Sequence, residues 1–237
     1  MSAAPRALVL AAPGTNRDGD VSFALELAGA VPEVVLLAEL VARPTLLEAT
    51  DMLVVAGGFS YADALGAGRM WSLELTHRVG EHLRTFVASG RPVIGICNGF
   101  QVLTGTGLLP GALAHNESGH FQCEWVTLSA PSGRCVWTRD LDEFDCPIAH
   151  GEGRYVHPDP AAFASSGQVA LTYSGHNPNG SALDIAGVCD ESGLVLGLMP
   201  HPENHVTRRQ HPLHRDGTAR PLGLELFRRG VAHAGGR

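Results

Sequence analysis

Short apolar runs that alternate with helical patterns constrain the fold of this 237-residue chain more than any other feature. Runs of strand length lie at residues 7–12, 34–37, 52–56 and 92–96, and residues 18–30 and 70–89 carry apolar positions at helical spacing. Strands that are apolar throughout are typical of parallel sheets covered by helices on both faces. The pattern therefore predicts an α/β fold, a three-layer sandwich with a mostly parallel central sheet.

The second half of the chain has shorter strands with fewer helices between them. Strands are predicted at residues 121–128, 169–173, 184–189 and 194–199, some of them antiparallel, and a last helix at 223–234. The sequence contains no repeat, low-complexity stretch or linker. We therefore expect residues 1–237 to form a single domain.

Composition disfavours or excludes several classes of function. The formal net charge of -7 disfavours nucleic-acid and anionic-membrane binding. All 17 basic residues are arginine, and without lysine the chain can carry neither a Walker A phosphate loop nor Schiff-base chemistry. The five cysteines form no C-x-x-C pair, and no apolar stretch is long enough for a signal peptide or a membrane span. We expect a soluble, cytoplasmic protein.

Residues 95–101 (Gly-Ile-Cys-Asn-Gly-Phe-Gln) join a predicted strand to a predicted helix, as in a nucleophile elbow with cysteine in place of serine. Glycines on both sides of Cys97 allow a sharp turn that leaves the thiol projecting above the sheet. The start of the helix lies beneath the sulfur and favours the thiolate, and the Asn98 N–H is placed to donate to an oxyanion. A buried structural cysteine between closely packed glycines would have the same local sequence.

Residues 199–203 (Met-Pro-His-Pro-Glu) follow the last predicted strand. The prolines are expected to hold the backbone extended, so that His201 and Glu203 point in the same direction. Glu203 would then fix the tautomer and orientation of His201. A lone histidine after a strand is more often structural. In a chain that also has a cysteine elbow, this segment indicates a triad of Cys97, His201 and Glu203.

Residues 57–61 (Gly-Gly-Phe-Ser-Tyr) follow the third predicted strand. Paired glycines let backbone N–H groups approach a substrate closely, so Gly58 is the candidate for a second oxyanion donor. Taken alone, the segment would be an ordinary tight turn.

Together, the elbow and the His-Pro-Glu segment resemble the triad-type (class I) glutamine amidotransferases. Further segments are similar, more narrowly, to the glutaminase subunits of phosphoribosylformylglycinamidine synthases. These segments are residues 12–16, 23–30, 57–61, 65–69, 148–154, 177–181 and 184–187. The matches run from about residue 11 to residue 203, and the later ones distinguish these subunits from other class I amidotransferases.

The resemblance implies a flavodoxin-like fold and a glutaminase of de novo purine synthesis, with Gln101 near the bound glutamine. A large synthetase subunit would use the ammonia, with ATP and magnesium, to convert formylglycinamide ribonucleotide to the amidine. A small third protein would bridge the two subunits. This chain itself is expected to need no cofactor and no metal.

Some segments depart from the family pattern or have no role in this scheme. Ala62 stands where the family usually has glycine, and Asn204 where it often has arginine. The segment 205–220 is longer than in many relatives.

The polar residues His150, Glu152 and Arg154 lie among glycines, and we expect their loop to face the synthetase and the ammonia exit.

Three other functions remain open from the residues alone. A peptidase-like or glyoxalase-like cysteine hydrolase could use a similar sheet, although it would depend on other acid–base partners. A metal could bind His201, His205, His211 and His214, although their spacing is loose and arginines dominate between them. A catalytically dead regulatory relative is the third, and the intact triad disfavours it.

Overall fold

The computed structural model describes residues 3–63, 65–216 and 221–236, and its elements alternate between strands and helices. The strands are β1 (Arg6–Ala11), β2 (Val31–Leu36), β3 (Met52–Val55), β4 (Val93–Ile96), β5 (Ala112–Ala114), β6 (Gln122–Ser129), β7 (Phe144–His150), β8 (Arg154–Val156), β9 (Val169–Ser174), β10 (Ile185–Cys189) and β11 (Val195–Leu198). The helices are α1 (Asp18–Ala28), α2 (Leu37–Ala42), α3 (Arg69–Ala88), α4 (Asn98–Gly105), α5 (Pro160–Ser165) and α6 (Leu224–Gly235). Short 3-10 segments lie at Pro44–Ala49, Ser60–Asp63, Ala182–Asp184, Pro202–Asn204 and Arg208–Gln210.

A nine-stranded mixed sheet in the order β2-β1-β3-β4-β11-β10-β9-β6-β7 forms the centre of the molecule. The pairs from β2 to β11 are parallel, and those from β11 to β7 are antiparallel. Strands β5 and β8 form a separate antiparallel pair. The order brings the late strand β11 beside β4, so that residues far apart in sequence leave the sheet at the same edge.

Helices cover the sheet, as the apolar strands require. Helices α1 and α6 pack against each other, and α3 packs against α2 and α4. Strands β3, β4 and β11 are buried along their whole length, as expected for strands covered on both faces. The predicted α/β class and layered arrangement are confirmed. The sheet is not mostly parallel as predicted, because the described residues form four parallel and four antiparallel strand pairs in it. Within the described ranges, no helix combines the length and the apolarity needed to cross a bilayer.

All predicted elements are present, and all but one have ends within two residues of the prediction. The exception was predicted at residues 34–37, whereas β2 begins at Val31 and Leu37 already belongs to α2. Strand β2 lies at the edge of the sheet, where Pro32 and several exposed side chains are tolerated. Strand β7 was not predicted, and it is also an edge strand that contains a proline, Pro147.

Candidate active site

Strand β4 leads directly into Cys97, and α4 begins at the next residue. The backbone of Cys97 has φ 51° and ψ -106°, a conformation that residues with a side chain rarely adopt. The turn is tight, because a Cβ on Gly95 would lie 2.5 Å from the carbonyl oxygen of Gly99. Cys97 is 7% exposed and lines a cleft. The elbow geometry predicted from the sequence is therefore present, with its sulfur reachable from the cleft.

His201 follows β11, which pairs in parallel with β4. Its Nδ1 lies 2.7 Å from Oε1 of Glu203, and both side chains are buried. The backbone is not extended here, because Pro202–Asn204 forms a 3-10 turn with the proline in its first turn, where proline fits. The prediction of an extended backbone was wrong, although the two side chains do meet.

The charges around His201 favour its protonated form. Burial, the largest influence, lowers the pKa of His201, but the charges of Glu203 and Cys97, with hydrogen bonds to both, outweigh burial and raise it to about 10. Nδ1 faces Glu203, and the raised pKa favours a proton on each ring nitrogen. The site thus places a group suited to general acid catalysis beside the sulfur.

The Gly57–Gly58 loop packs directly against these side chains. A Cβ on Gly57 would lie 3.2 Å from Cε1 of His201 and 3.4 Å from Cβ of Cys97. Gly58 has φ 129°, and a Cβ there would lie 2.6 Å from the backbone nitrogen of Asn16. Gly58 therefore requires glycine, whereas a side chain at Gly57 would need its neighbours to shift by a few tenths of an ångström, and Gly58 lines the cleft.

A chain of hydrogen bonds fixes the other predicted residues. The Ser60 hydroxyl donates a short hydrogen bond to Oδ1 of Asn98, whose Nδ2 donates to Oε1 of Gln101 at 2.9 Å. Nε2 of Gln101 donates to the carbonyl of Glu152 at 2.6 Å. The chain connects the loop after β3, helix α4 and the segment after β7. The sequence did not indicate the role of Ser60.

The cleft has a volume of about 150 Å³. Of the predicted residues, Gly58, Cys97, Asn98, Gln101 and His201 line it, and Glu203 lies behind His201. The remaining walls come from Asn16, Arg17, Phe59, Asp63, Ala67, Phe121, Ala149, His150, Gly151 and Glu152. The structure therefore brings every predicted site residue together at one sheet edge, and it adds neighbours that the sequence did not identify as site residues.

The 150–154 segment is divided between the cleft and the surface beside it. His150 is buried at the end of β7, and burial, followed by the nearby charge of His201, lowers its pKa to about 4. Burial, followed by repulsion from Glu152, raises the pKa of Asp63. Arg154 instead lies in β8 and donates its Nε to the carbonyl of His115. The polar residues among glycines at 150–154 were the only sequence signal for this wall.

The two departures from the family pattern have local explanations. Ala62 has φ 53°, in the left-handed region that glycine adopts more easily. Asn204 donates its Nδ2 to Oδ2 of Asp20 at 3.0 Å and so connects the 3-10 turn after His201 to α1.

The histidines after the triad do not assemble into a ligand set. His205 and His211 are buried against the ring of Trp125, while His214 binds the carbonyl of His211 through Nδ1. Within the described residues, no group of three or more histidine, cysteine, aspartate or glutamate side chains is arranged to hold a metal ion. Of the segment 205–220, residues 217–220 lie outside the described residues.

Comparisons with known proteins show which family this chain belongs to. Residues 4–234 match the family model of the CobB/CobQ-like glutamine amidotransferase domain. The phosphoribosylformylglycinamidine synthase subunit PurQ of Treponema denticola is 44% identical, over 96% of this chain and 98% of its own length. The subunit of the same name from Dehalococcoides mccartyi is 39% identical, over 97% of each chain.

Solved structures show the same similarity. A chain in the structure of PurLQS from Thermotoga maritima superposes with a TM-score of 0.80 at 35% identity, covering 97% of this chain and 98% of that one. A glutamine amidotransferase from the same organism has a TM-score of 0.56 at 17% identity, covering 97% of this chain and 95% of that one, and shares the fold.

Proposed function

This chain belongs to the family of CobB/CobQ-like glutamine amidotransferase domains, and from that premise we propose that it is the glutaminase subunit of phosphoribosylformylglycinamidine synthase. It hydrolyses glutamine to glutamate and ammonia. The large synthetase subunit uses the ammonia to convert formylglycinamide ribonucleotide to the amidine in de novo purine biosynthesis, and a small subunit completes the complex. Relatives with this function are matched over nearly their whole length.

The neighbouring positions of β4 and β11 carry the chemical part of this proposal. The two parallel strands deliver Cys97 and His201 into one cleft, and Glu203 lies 2.7 Å behind the imidazole. Cys97, His201 and Glu203 therefore have the spatial arrangement of nucleophile, base and orienting carboxylate that a cysteine hydrolase requires. Because Nδ1 faces Glu203, the other ring nitrogen of His201 is available to the reacting groups.

In the first half of the reaction, the Cys97 sulfur attacks the carboxamide carbon of glutamine. A carbon–sulfur bond forms, and the negative charge that moves to the oxygen is held by the backbone N–H groups of Gly58 and Asn98. The carbon–nitrogen bond then breaks while His201 transfers its proton to the nitrogen. Ammonia leaves, and a γ-glutamyl thioester remains on Cys97. Gln101 lies beside the bound glutamine.

In the second half, the neutral His201 removes a proton from a water molecule that attacks the thioester carbon. The carbon–sulfur bond breaks, glutamate leaves, and the resting charge pair of sulfur and imidazolium returns. Glu203 stays ionised and holds the ring in one orientation through both halves.

We further propose that ATP and magnesium act only in the synthetase subunit, that the chain is one domain, and that the enzyme works in the cytoplasm. The absence of lysine supports the first point, because phosphate loops need that side chain. The single family match over residues 4–234 supports the second. The five free cysteines support the third, since a reducing compartment keeps thiols free.

Replacement of the proposed nucleophile tests this function. In the assembled synthase, Cys97→Ser should lower glutamine-dependent amidination by at least about a thousand-fold, while amidination from free ammonium continues. The matched control is Cys123→Ser, at an exposed cysteine outside the cleft lining, which should leave both activities unchanged. Glutaminase activity near the wild-type rate in Cys97→Ser would show that another residue is the nucleophile.

A further inference from the structure

His150 is a buried polar residue of the cleft wall that the reaction described above does not use. It is 3% exposed, lies at the end of β7 and lines the cleft together with Cys97 and His201. The preceding residue also touches the nucleophile, since the carbonyl of Ala149 lies 3.9 Å from the Cys97 sulfur. The imidazole is thus placed beside the reacting groups.

Asn116 fixes the tautomer of His150. Its Nδ2 donates to the carbonyls of His150 at 2.8 Å and His120 at 2.9 Å, so its Oδ1 must be the atom that faces the histidine ring. This oxygen accepts from the Gly153 N–H at 3.0 Å and lies 3.1 Å from Nδ1 of His150. An amide oxygen can only accept, so the ring proton is on Nδ1, and Nε2 has a free lone pair.

Nε2 of His150 is buried, and no group within the described residues forms a hydrogen bond with it. Protonation does not satisfy it either, because burial and the charge of His201 lower the pKa of His150 to about 4. The Gly153 backbone packs against the ring, where a Cβ would overlap Nδ1 and Cε1. Nε2 has almost no accessible surface in the unliganded protein, so the wall must open slightly before a ligand reaches this atom. A buried acceptor without a donor is uncommon in a native protein and points to a donor that arrives with a ligand.

We propose that Nε2 of His150 accepts a hydrogen bond from an N–H of the glutamine carboxamide, and then from the ammonia that leaves. This inference rests on the proposed glutaminase function, in which the carboxamide enters the cleft beside Cys97. A primary amide has two N–H donors that lose water when it enters a buried site. Once the wall has opened, this acceptor replaces that water and holds the nitrogen where His201 can protonate it.

The protonation state of His150 suits the second part of this role. The only ring proton is engaged by Asn116, so the residue accepts from ammonia without donating to it. Ammonia therefore keeps the lone pair that makes it a nucleophile in the synthetase subunit.

The test compares glutamine with glutamate γ-methyl ester in the assembled synthase. Both substrates form the same thioester on Cys97, but the ester has no N–H on its leaving group. His150→Phe should lower kcat/KM for glutamine about 10-fold, as expected for loss of one hydrogen bond, and should change kcat/KM for the ester by less than about twofold. An equal loss for both substrates would give His150 a purely structural role and overturn the proposal.

Two further variants separate the atoms of the ring. His150→Asn keeps an amide beside Asn116 but has no atom in place of Nε2, so it should reproduce the selective loss. His150→Gln extends an amide oxygen toward that place and should recover most of the activity toward glutamine. A Gln variant as impaired as the Phe variant would contradict the proposal. Cys97→Ala serves as the reference, since turnover of either substrate without the thiol would refute the proposed function rather than the role of His150.

Discussion

The substitution Gly99→Ala should separate the proposed nucleophile from the loop that carries the oxyanion donor. Gly99 lies in the first turn of α4, against the end of β3. A Cβ there would lie 2.9 Å from the carbonyl carbon of Val55 and closer still to its oxygen, whereas ordinary contacts begin at 3.4 Å. Because the oxygen is the closer atom, helix and strand must move apart by about 1 Å or more. Because β3 leads to Gly58 and α4 follows Cys97, the movement widens the site itself.

The displacement sets the size of the expected effects. A misplacement of about 1 Å in an active site typically lowers the rate about 100-fold, so kcat/KM for glutamine should fall by about that factor. Overpacking should lower the free energy of unfolding by about 1–3 kcal/mol. For a chain of this length, that change corresponds to a decrease in Tm of roughly 2–12 °C.

The assay measures glutamate release from glutamine, with circular dichroism and thermal melting as controls for folding. Gly133→Ala is the matched control, because a Cβ there has no neighbour within 4 Å and the residue does not line the cleft. It should leave both kcat/KM and Tm unchanged. If Gly99→Ala retained wild-type kcat/KM and Tm, the close approach of α4 to β3 would not govern the geometry of the site.

Two other perturbations address the acid–base residue and the surface beside the cleft. Glu203→Gln removes a charge that keeps the pKa of His201 near 10, so kcat should fall by about 10²–10⁴-fold. In a pH–rate profile, His201 should lose its proton at a lower pH than in the wild type. The pKa of His201 in the folded state lies above its ordinary 6.5, so protonation of His201 stabilises the fold. This stabilisation is complete below pH 6.5 and is lost as pH rises to about 10. In urea unfolding, Glu203→Gln should therefore lose less unfolding free energy than the wild type between these pH values. Arg154→Ala should weaken co-purification with the synthetase subunit or reduce the amount of amidine formed per glutamate released. Normal values of both would refute the expectation that residues 150–154 face the synthetase subunit.

The parallel half of the sheet could be predicted because its strands carry their own signal. Strands β3 and β4 are apolar at every position, and each ends at glycines or at the elbow. Residues 95–101 and 199–203 each join the end of a predicted strand to reactive side chains, a cysteine in the first and a histidine and a glutamate in the second. The residues of the proposed triad could therefore be named from the sequence.

The wall of the cleft that contains His150 could not be predicted in the same way. Strand β7 contains Pro147, and a proline normally argues against a strand unless the strand lies at an edge, which only the sheet order reveals. The hydrogen bonds of His150 also come from Asn116, on a different segment, so no local pattern shows them. The turn at Pro202–Asn204 was missed for another reason, since proline is compatible with both an extended chain and the first turn of a helix.

The position of β11 between β4 and β10 has a consequence during protein synthesis. A nascent chain that has left the ribosome only as far as β10 contains Cys97, β4 and its neighbour β3, but neither β11 nor His201. Synthesis proceeds from the N-terminus. Nearly half of the chain is therefore made after Cys97 before His201 can take its place beside it. A fragment that ends before β11 therefore lacks the acid–base residue that the proposed reaction needs.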